Sequence, residues 1–278
     1  MARDVAQNAE LALLLEVTGT PKPGNVDRER EYDDLRFEHF LAGAVGARPG
    51  LELAADGERV GHAFERAVAG MAEQSAGNTQ FGALLVLAPL VAAASEDALS
   101  PAGADAAVRA TTVADAADFY RAFEHVDVAV EDPPAGLEPL DVRRGSDAVP
   151  ALEARGFTLF DVMERSAAVD GVAAEWVGEF ERVFDAAASI LDGDGPVPDR
   201  AARAFLELLA AEPDTFVVKR QDRATAEEVQ RRAQAVLDGD EDATDLAEEF
   251  VARDVNPGTT ADLVAGALFV ALERGLVV

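Results

Sequence analysis

Lys22 and Lys219 are the only lysines among the 24 basic residues of this 278-residue chain. Lysine meets phosphate as a point charge and arginine as a planar fork, so both are its usual ligands. Lys22 stands in Thr20-Pro21-Lys22-Pro23-Gly24-Asn25, where the prolines fix φ and are expected to present the ammonium on a stiff loop. Lys219 closes Asp214-Thr215-Phe216-Val217-Val218-Lys219 and is followed by Arg220. The plainer alternative is two surviving surface lysines. Carboxylates follow the first segment: Asp27 beside Arg28, then Asp33, Asp34 and Glu38. Clustered carboxylates can hold Mg²⁺, which keeps several waters and bridges to substrate phosphates. In a chain this acidic, an acidic pair alone says little.

Two helix starts carry further polar groups. Gly77-Asn78-Thr79-Gln80-Phe81-Gly82 precedes a strongly apolar stretch. Free backbone N–H groups there could bind an anion, or Asn78 or Thr79 is simply a cap. Asn256-Pro257-Gly258-Thr259-Thr260-Ala261-Asp262 opens the last helix. Thr259 to Asp262 has the form of a capping box, and the turn also resembles a small anion site above a helix N-terminus. His39, His62 and His125 lack metal-ligand spacing, and there is no Gly-x-Ser-x-Gly elbow or Walker A loop.

The elements that must hold these groups read as helices. Apolar residues at helical spacing predict helices ending near 17 and then over 35–46, 57–76, 79–95, 103–124, 158–168, 170–191, 198–211, 224–237, 243–253 and 259–273. Segment 79–95 is apolar on every face, as a central helix is. Residues 18–34 form a Gly- and Pro-marked loop, and 126–156, with Pro133, Pro134, Gly136, Pro139, Gly145 and Pro150, is the least regular part. No alternating run demands a sheet. The expected fold is a single all-α domain, residues 1–278, of roughly ten helices.

With 53 acidic residues the formal net charge is −29, spread along the chain. Such charge repels itself in dilute buffer, and molar salt shortens the screening length to about 3 Å. The distribution fits a halophilic surface, and 49% hydrophobic residues supply a core that disorder would lack. There is no basic run beyond Arg143-Arg144 and Arg231-Arg232, which argues against nucleic acid and anionic membranes as partners. The absence of cysteine excludes disulfides, thiolate chemistry and Cys-ligated zinc. Phe81 to Ala94 is too short to span a bilayer, Met1-Ala2-Arg3-Asp4 leads directly into a mixed helix without a signal-peptide core, and the expected location is the cytoplasm.

Together, four segments resemble one family. Glu16-Val17-Thr18-Gly19-Thr20-Pro21-Lys22-Pro23-Gly24-Asn25-Val26-Asp27-Arg28 is similar to the N-terminal signature of triphosphoribosyl-dephospho-CoA synthases, in a divergent, halophilic archaeal-type form. Asn78 to Gly82, Asp214-Thr215 with Lys219-Arg220, and Asn256 to Leu263 follow in the family's order. Where the family reads Asn-Thr-His, a basic residue and Gly, this chain has Gln80 and Phe81 in the third and fourth places. Its final motif has Thr259 and Thr260 where the family has Gly and Ser.

The resemblance implies an all-helical transferase that joins ATP to 3'-dephospho-CoA or a related acceptor and releases adenine, with Mg²⁺ as its expected cofactor. On that footing the reaction passes through an oxocarbenium-like centre at the ribose C1. Asp27 or Asp262 is expected to face that charge. Lys22, Arg28, Asn78, Thr79, Lys219, Arg220, Asn256, Gly258, Thr259 and Thr260 are expected to bind nucleotide and phosphates. Asp27, Asp33 or Asp214 would hold Mg²⁺. Gln80 cannot serve as a base, so a carboxylate must take the acceptor's proton. The alternatives are a Mg²⁺-dependent nucleotide N-glycosidase or related phosphoribose enzyme, and a nucleotide-binding regulator without turnover.

Overall fold

The computed structural model describes residues 3–133 and 136–278; Met1, Ala2, Pro134 and Ala135 lie outside the described residues. Among the described residues there are fifteen α-helices and no strand. They are α1 Val5–Thr18, α2 Phe37–Ala55, α3 Val60–Met71, α4 Phe81–Ser95, α5 Pro101–Arg109, α6 Val113–Ala122, α7 Val149–Arg155, α8 Leu159–Ser166, α9 Gly171–Val177, α10 Glu181–Asp192, α11 Val197–Ala211, α12 Thr215–Arg220, α13 Arg223–Asp238, α14 Ala243–Ala252 and α15 Gly258–Glu273. Two 3₁₀ turns, Glu138–Leu140 and Val142–Ala148, precede α7.

The all-helical expectation holds, but the expected count of roughly ten is too low, for local reasons. The expected 103–124 helix is two. Thr112 ends the first extended and caps the second, and its side chain and that of Asp115 form a reciprocal capping box. The expected 170–191 helix breaks at Gly178, after which Glu179 and Phe180 both take left-handed backbone. For a bulky residue such a conformation costs about 1 kcal/mol or more; Phe180 is fully buried, and that burial offsets the cost. Helices α7 and α12 have seven and six residues, too short for periodicity to show.

Helices α4 and α15 form the centre. Leu84, Leu87, Leu90 and Val91 of α4 have no exposure, and neither do Val264, Leu268 and Val270 of α15. α4 also contains Pro89, which has no N–H to give to the Leu85 carbonyl. The indole of Trp176 in α9 fills that vacancy, donating to Leu85 O at 3.0 Å. A central proline thus becomes a docking point for a neighbouring helix. One continuous apolar core draws on all fifteen helices. A second, small cluster of Val17, Val26 and Phe40, flanked by Tyr32 and Leu35, holds the loop 19–36 down against α2. Among the described residues no helix is long and apolar enough to cross a membrane.

Candidate active site

The loop 19–36 is fastened at both ends of the chain's sequence. Gly24 has φ +76, and a Cβ there would lie 1.9 Å from the Val255 carbonyl oxygen. Only glycine lets the first motif approach the last so closely. Beside that contact, Asn25 Nδ2 donates to Asn256 Oδ1 at 2.9 Å. The Tyr32 hydroxyl donates to Gly24 O at 2.6 Å.

Within the loop, Lys22 is fully buried, not presented to solvent. Its Nζ donates to Glu16 Oε1 and, at 2.9 Å, to Asn25 Oδ1. Asp27 is 1% exposed and saturated. Its Oδ2 accepts from Thr20 Oγ1 at 2.8 Å and from Lys22 N at 3.2 Å, and its Oδ1 accepts from the amides of Glu29 and Arg30 at 2.8 and 2.9 Å. This is the signature of a loop-organising carboxylate.

Glu16, Asn25, Asn78, Thr79, Gln80, Asn256, Gly258 and Asp262 line one cavity of ≈ 110 Å³, closed by Leu13, Phe40, Phe81 and Phe216. At roughly 30 Å³ per water in the liquid it has room for about four waters. Asp262 was expected to belong to a capping box. Instead the cap lies two residues earlier, at Pro257, with no side-chain cap bond, which frees Asp262 to point across to α4. A Cβ on Gly82 would lie 1.9 Å from Asp262 Oδ2, so glycine at that position is what admits the carboxyl group. The cap position of α4 falls to Gln80, not to Asn78 or Thr79, but Asn78 Oδ1 still accepts from the first helical amide, Phe81 N, at 3.1 Å.

The cavity's two acids differ. Burial pushes the Glu16 carboxyl up, while the neighbouring Lys22 ammonium pulls it back down. Asp262 has no cation beside it. Burial pushes its carboxyl well above the usual range, and the nearby Glu16, Asp214 and Asp170 carboxylates push it further. Its surface opens onto the cavity while dense protein surrounds it, and the Ala83 backbone N–H is what pulls the other way. Sequence reasoning missed Glu16 as a site residue; its signal is the pairing of an acid in α1 with one of only two lysines.

A second cavity of ≈ 320 Å³ lies on the other side of the first turn of α15, lined among others by Asp170, Arg182, Asp214, Thr215, Arg223, Thr259 and Thr260. Asp214 bridges two helix starts there. Its Oδ1 accepts from the Phe216 and Val217 amides at 2.8 and 3.0 Å, and its Oδ2 from Thr260 N and Oγ1, both at 2.8 Å. Thr259 Oγ1 meets Thr215 Oγ1 at 3.0 Å. Lys219 Nζ pairs with Asp170, and Arg220 is exposed.

The structure therefore brings Asn78, Thr79, Asn256, Gly258 and Asp262 together, with Thr259 and Thr260 facing the second cavity. It leaves Arg28 exposed, its nearest acid being Glu29 at 3.9 Å. The expected magnesium trio is not assembled. Asp27 and Asp214 spend their oxygens on N–H and O–H donors, and Asp33 is exposed on the loop. Among the described residues, no three His, Asp or Glu side chains are grouped to hold a metal ion.

A solved structure of a candidate triphosphoribosyl-dephospho-CoA synthase from Archaeoglobus fulgidus shares this fold, with a TM-score of 0.68 and 24% identity over 84% of this chain and 99% of that one. A comparison with curated proteins returns no match. The model of the ATP:dephospho-CoA triphosphoribosyl transferase family matches residues 2–277, almost the whole length, and the chain belongs to that family.

Proposed function

We propose that the cavity between α1, α4 and α15 is where this transferase moves the triphosphoribosyl group of ATP to dephospho-CoA. The observation that carries the reading is the pair of unlike carboxyl groups on one cavity, Glu16 backed by Lys22 and Asp262 without a cation. Two acids whose surroundings set them apart are suited to opposite proton tasks. Asp262 donates its proton to the departing adenine as the C1–N9 bond breaks and the bonding electrons leave with the base. An acceptor ribose hydroxyl then forms the new bond to C1, and its proton passes to Glu16. Transfer of a proton from Glu16 back to Asp262 resets the site. While ionised, Glu16 also faces the positive charge that develops at C1.

In this reading Asp27 and Lys22 position the site without touching substrate. Lys22 acts through Glu16, and Asp27 fixes the loop that carries Lys22 and Asn25. The triphosphate runs outward past the first turn of α15, where Thr259, Thr260, Lys219 and Arg220 lie, with Arg28 available from the loop. Magnesium enters as part of the Mg·ATP substrate, held mainly by the phosphates.

The test is free adenine by chromatography, from pure protein in molar KCl with Mg²⁺, ATP and dephospho-CoA. Adenine that depends on dephospho-CoA supports the reading. Adenine without the acceptor would make the protein an N-glycosidase, and ATP binding without adenine would make it a nucleotide-binding regulator.

We further read the chain as one domain working in a salt-rich cytoplasm. The single continuous core supports the first point. For the second, neither lysine is on the surface: Lys22 is buried and the Lys219 side chain is 9% exposed. The exposed cations are all arginine and the exposed acids greatly outnumber them. A thermal midpoint that rises steadily between about 0.1 and 1 M KCl is the expected result.

A further inference from the structure

Gln80 is 4% exposed, yet neither its Oε1 nor its Nε2 has a hydrogen-bond partner among the described residues. Buried amides are almost always paired, because an unmade bond forfeits the hydration the group had in water. The residue's own backbone is settled, its N–H donating to Met71 Sδ at 3.2 Å. The side chain is what stands unused, on the wall of the cavity that holds Glu16 and Asp262. The facing position on α2 is Gly43, where a Cβ would lie 3.2 Å from Gln80 Oε1, so α2 supplies no polar side chain at that point. Next to it Thr79 Oγ1 is also unpaired among the described residues.

A primary amide offers one donor and one acceptor side by side in a plane. A phosphate offers only acceptors, and a wall with two acidic side chains is a poor place for it. An adenine ring matches: its N6 amino group donates beside the N7 acceptor, the edge that glutamine reads in paired fashion elsewhere. We propose that Gln80 is the adenine-recognition residue, Oε1 accepting from the N6 amino group and Nε2 donating to N7. The proposal rests on the reading of this cavity as the transfer site. Both substrates carry adenine, and the shared chemistry is this edge. A donor held at N7 also draws electrons from the ring, which aids its departure if the base is that of ATP.

The experiment measures equilibrium binding of ATP, of dephospho-CoA and of inosine triphosphate, each alone, in molar KCl, for wild type and Gln80→Leu. Inosine triphosphate replaces the N6 donor by an oxygen acceptor. Wild type is expected to prefer ATP to inosine triphosphate where Gln80 holds the leaving adenine, and to prefer dephospho-CoA to its 7-deaza analogue where Gln80 holds the acceptor's. Gln80→Leu is expected to weaken one adenine nucleotide by roughly 5- to 150-fold, the worth of one paired base contact, and to leave inosine triphosphate unchanged. A loss on ATP places the leaving adenine at Gln80; a loss on dephospho-CoA places the acceptor's adenine there. Unchanged binding of both, or an equal loss for ATP and inosine triphosphate, overturns the proposal. Should Gln80→Leu fail to fold, wild type alone decides: 7-deaza-ATP and inosine triphosphate bound as tightly as ATP, with dephospho-CoA bound as tightly as its 7-deaza analogue, would overturn it. Adenine release by wild type is run in parallel. Its absence alongside intact base discrimination would sink the transferase reading and leave Gln80's role standing.

Discussion

The loop 19–36 and the junction of α4 with α15 both wall the same cavity, and both bury acidic and amide side chains. In the loop those groups are matched: Lys22 with Glu16 and Asn25, Asp27 with a hydroxyl and three backbone amides. At the junction they are not. Asp262 has other carboxylates for electrostatic company and only the Ala83 amide to offset them, and Thr79 and Gln80 present unpaired polar atoms among the described residues. Satisfied polar groups rigidify a structure, whereas unsatisfied ones wait for a ligand. On the proposed reading, the junction supplies the acid and the groups that meet the base, and the loop frames Glu16 through Lys22.

The sharpest way to break that contrast is to exchange one acid from each side. Asp262→Asn is expected to lower adenine release by roughly 10²- to 10⁴-fold, the usual worth of a general acid, with an undiminished thermal midpoint. A collapse of folding with unchanged turnover per folded molecule would reverse the roles. Lys22→Ala should do the opposite, costing about 3–5 kcal/mol in a denaturant titration because Glu16 is left buried without its cation. Retention of full stability would show that the loop is not the frame.

The pH dependence sharpens the comparison further. Asp262 has its folded pKa above the ordinary value of 3.8. The native state then binds more protons than the unfolded one, so this stabilisation is complete below that value and is lost as pH rises through the folded pKa. Stability curves of wild type and Asp262→Asn should therefore diverge as pH rises above about 4, wild type falling more steeply. Parallel curves would remove the unpaired acid from the argument. The smallest effect is expected outside the cavity lining, where Arg232 joins Glu241 and Glu249 and Glu249 is held down to about 2 by Arg232 and Arg253. Arg232→Ala should cost no more than about 1 kcal/mol in low salt and less in molar KCl; a larger loss would mean that surface networks rival the interior.

Much of the fold was legible because apolar spacing reports any helix long enough to repeat its pattern. Helix α4 showed itself by being apolar on every face. What stayed hidden was set by single residues acting at a distance or against preference, such as the left-handed Phe180 that splits α9 from α10. The cavity was legible in part. Asn78, Asn256 and Asp262 stood in recognisable segments, but the opening of the Asp262 side chain toward Gly82 depends on where α15 begins, which is a question of two residues. Glu16 was hidden by abundance, as one of 53 acidic residues. Lys22 drew notice for its rarity, yet its burial follows from Glu16 and Asn25 closing around it, a tertiary fact. Gln80 read as a lost histidine, and only its lack of partners makes it a candidate for recognition.

The bond from Asn25 to Asn256 joins residues 231 positions apart. Synthesis runs in one direction, so a growing chain makes the Glu16–Lys22 half of the pocket early and must wait for its opposite wall until Asp262 has emerged from the ribosome. A nascent chain has no pocket in which to split a nucleotide, and a prematurely terminated one never acquires it. If the proposed site is the right one, catalysis is the last property this polypeptide gains.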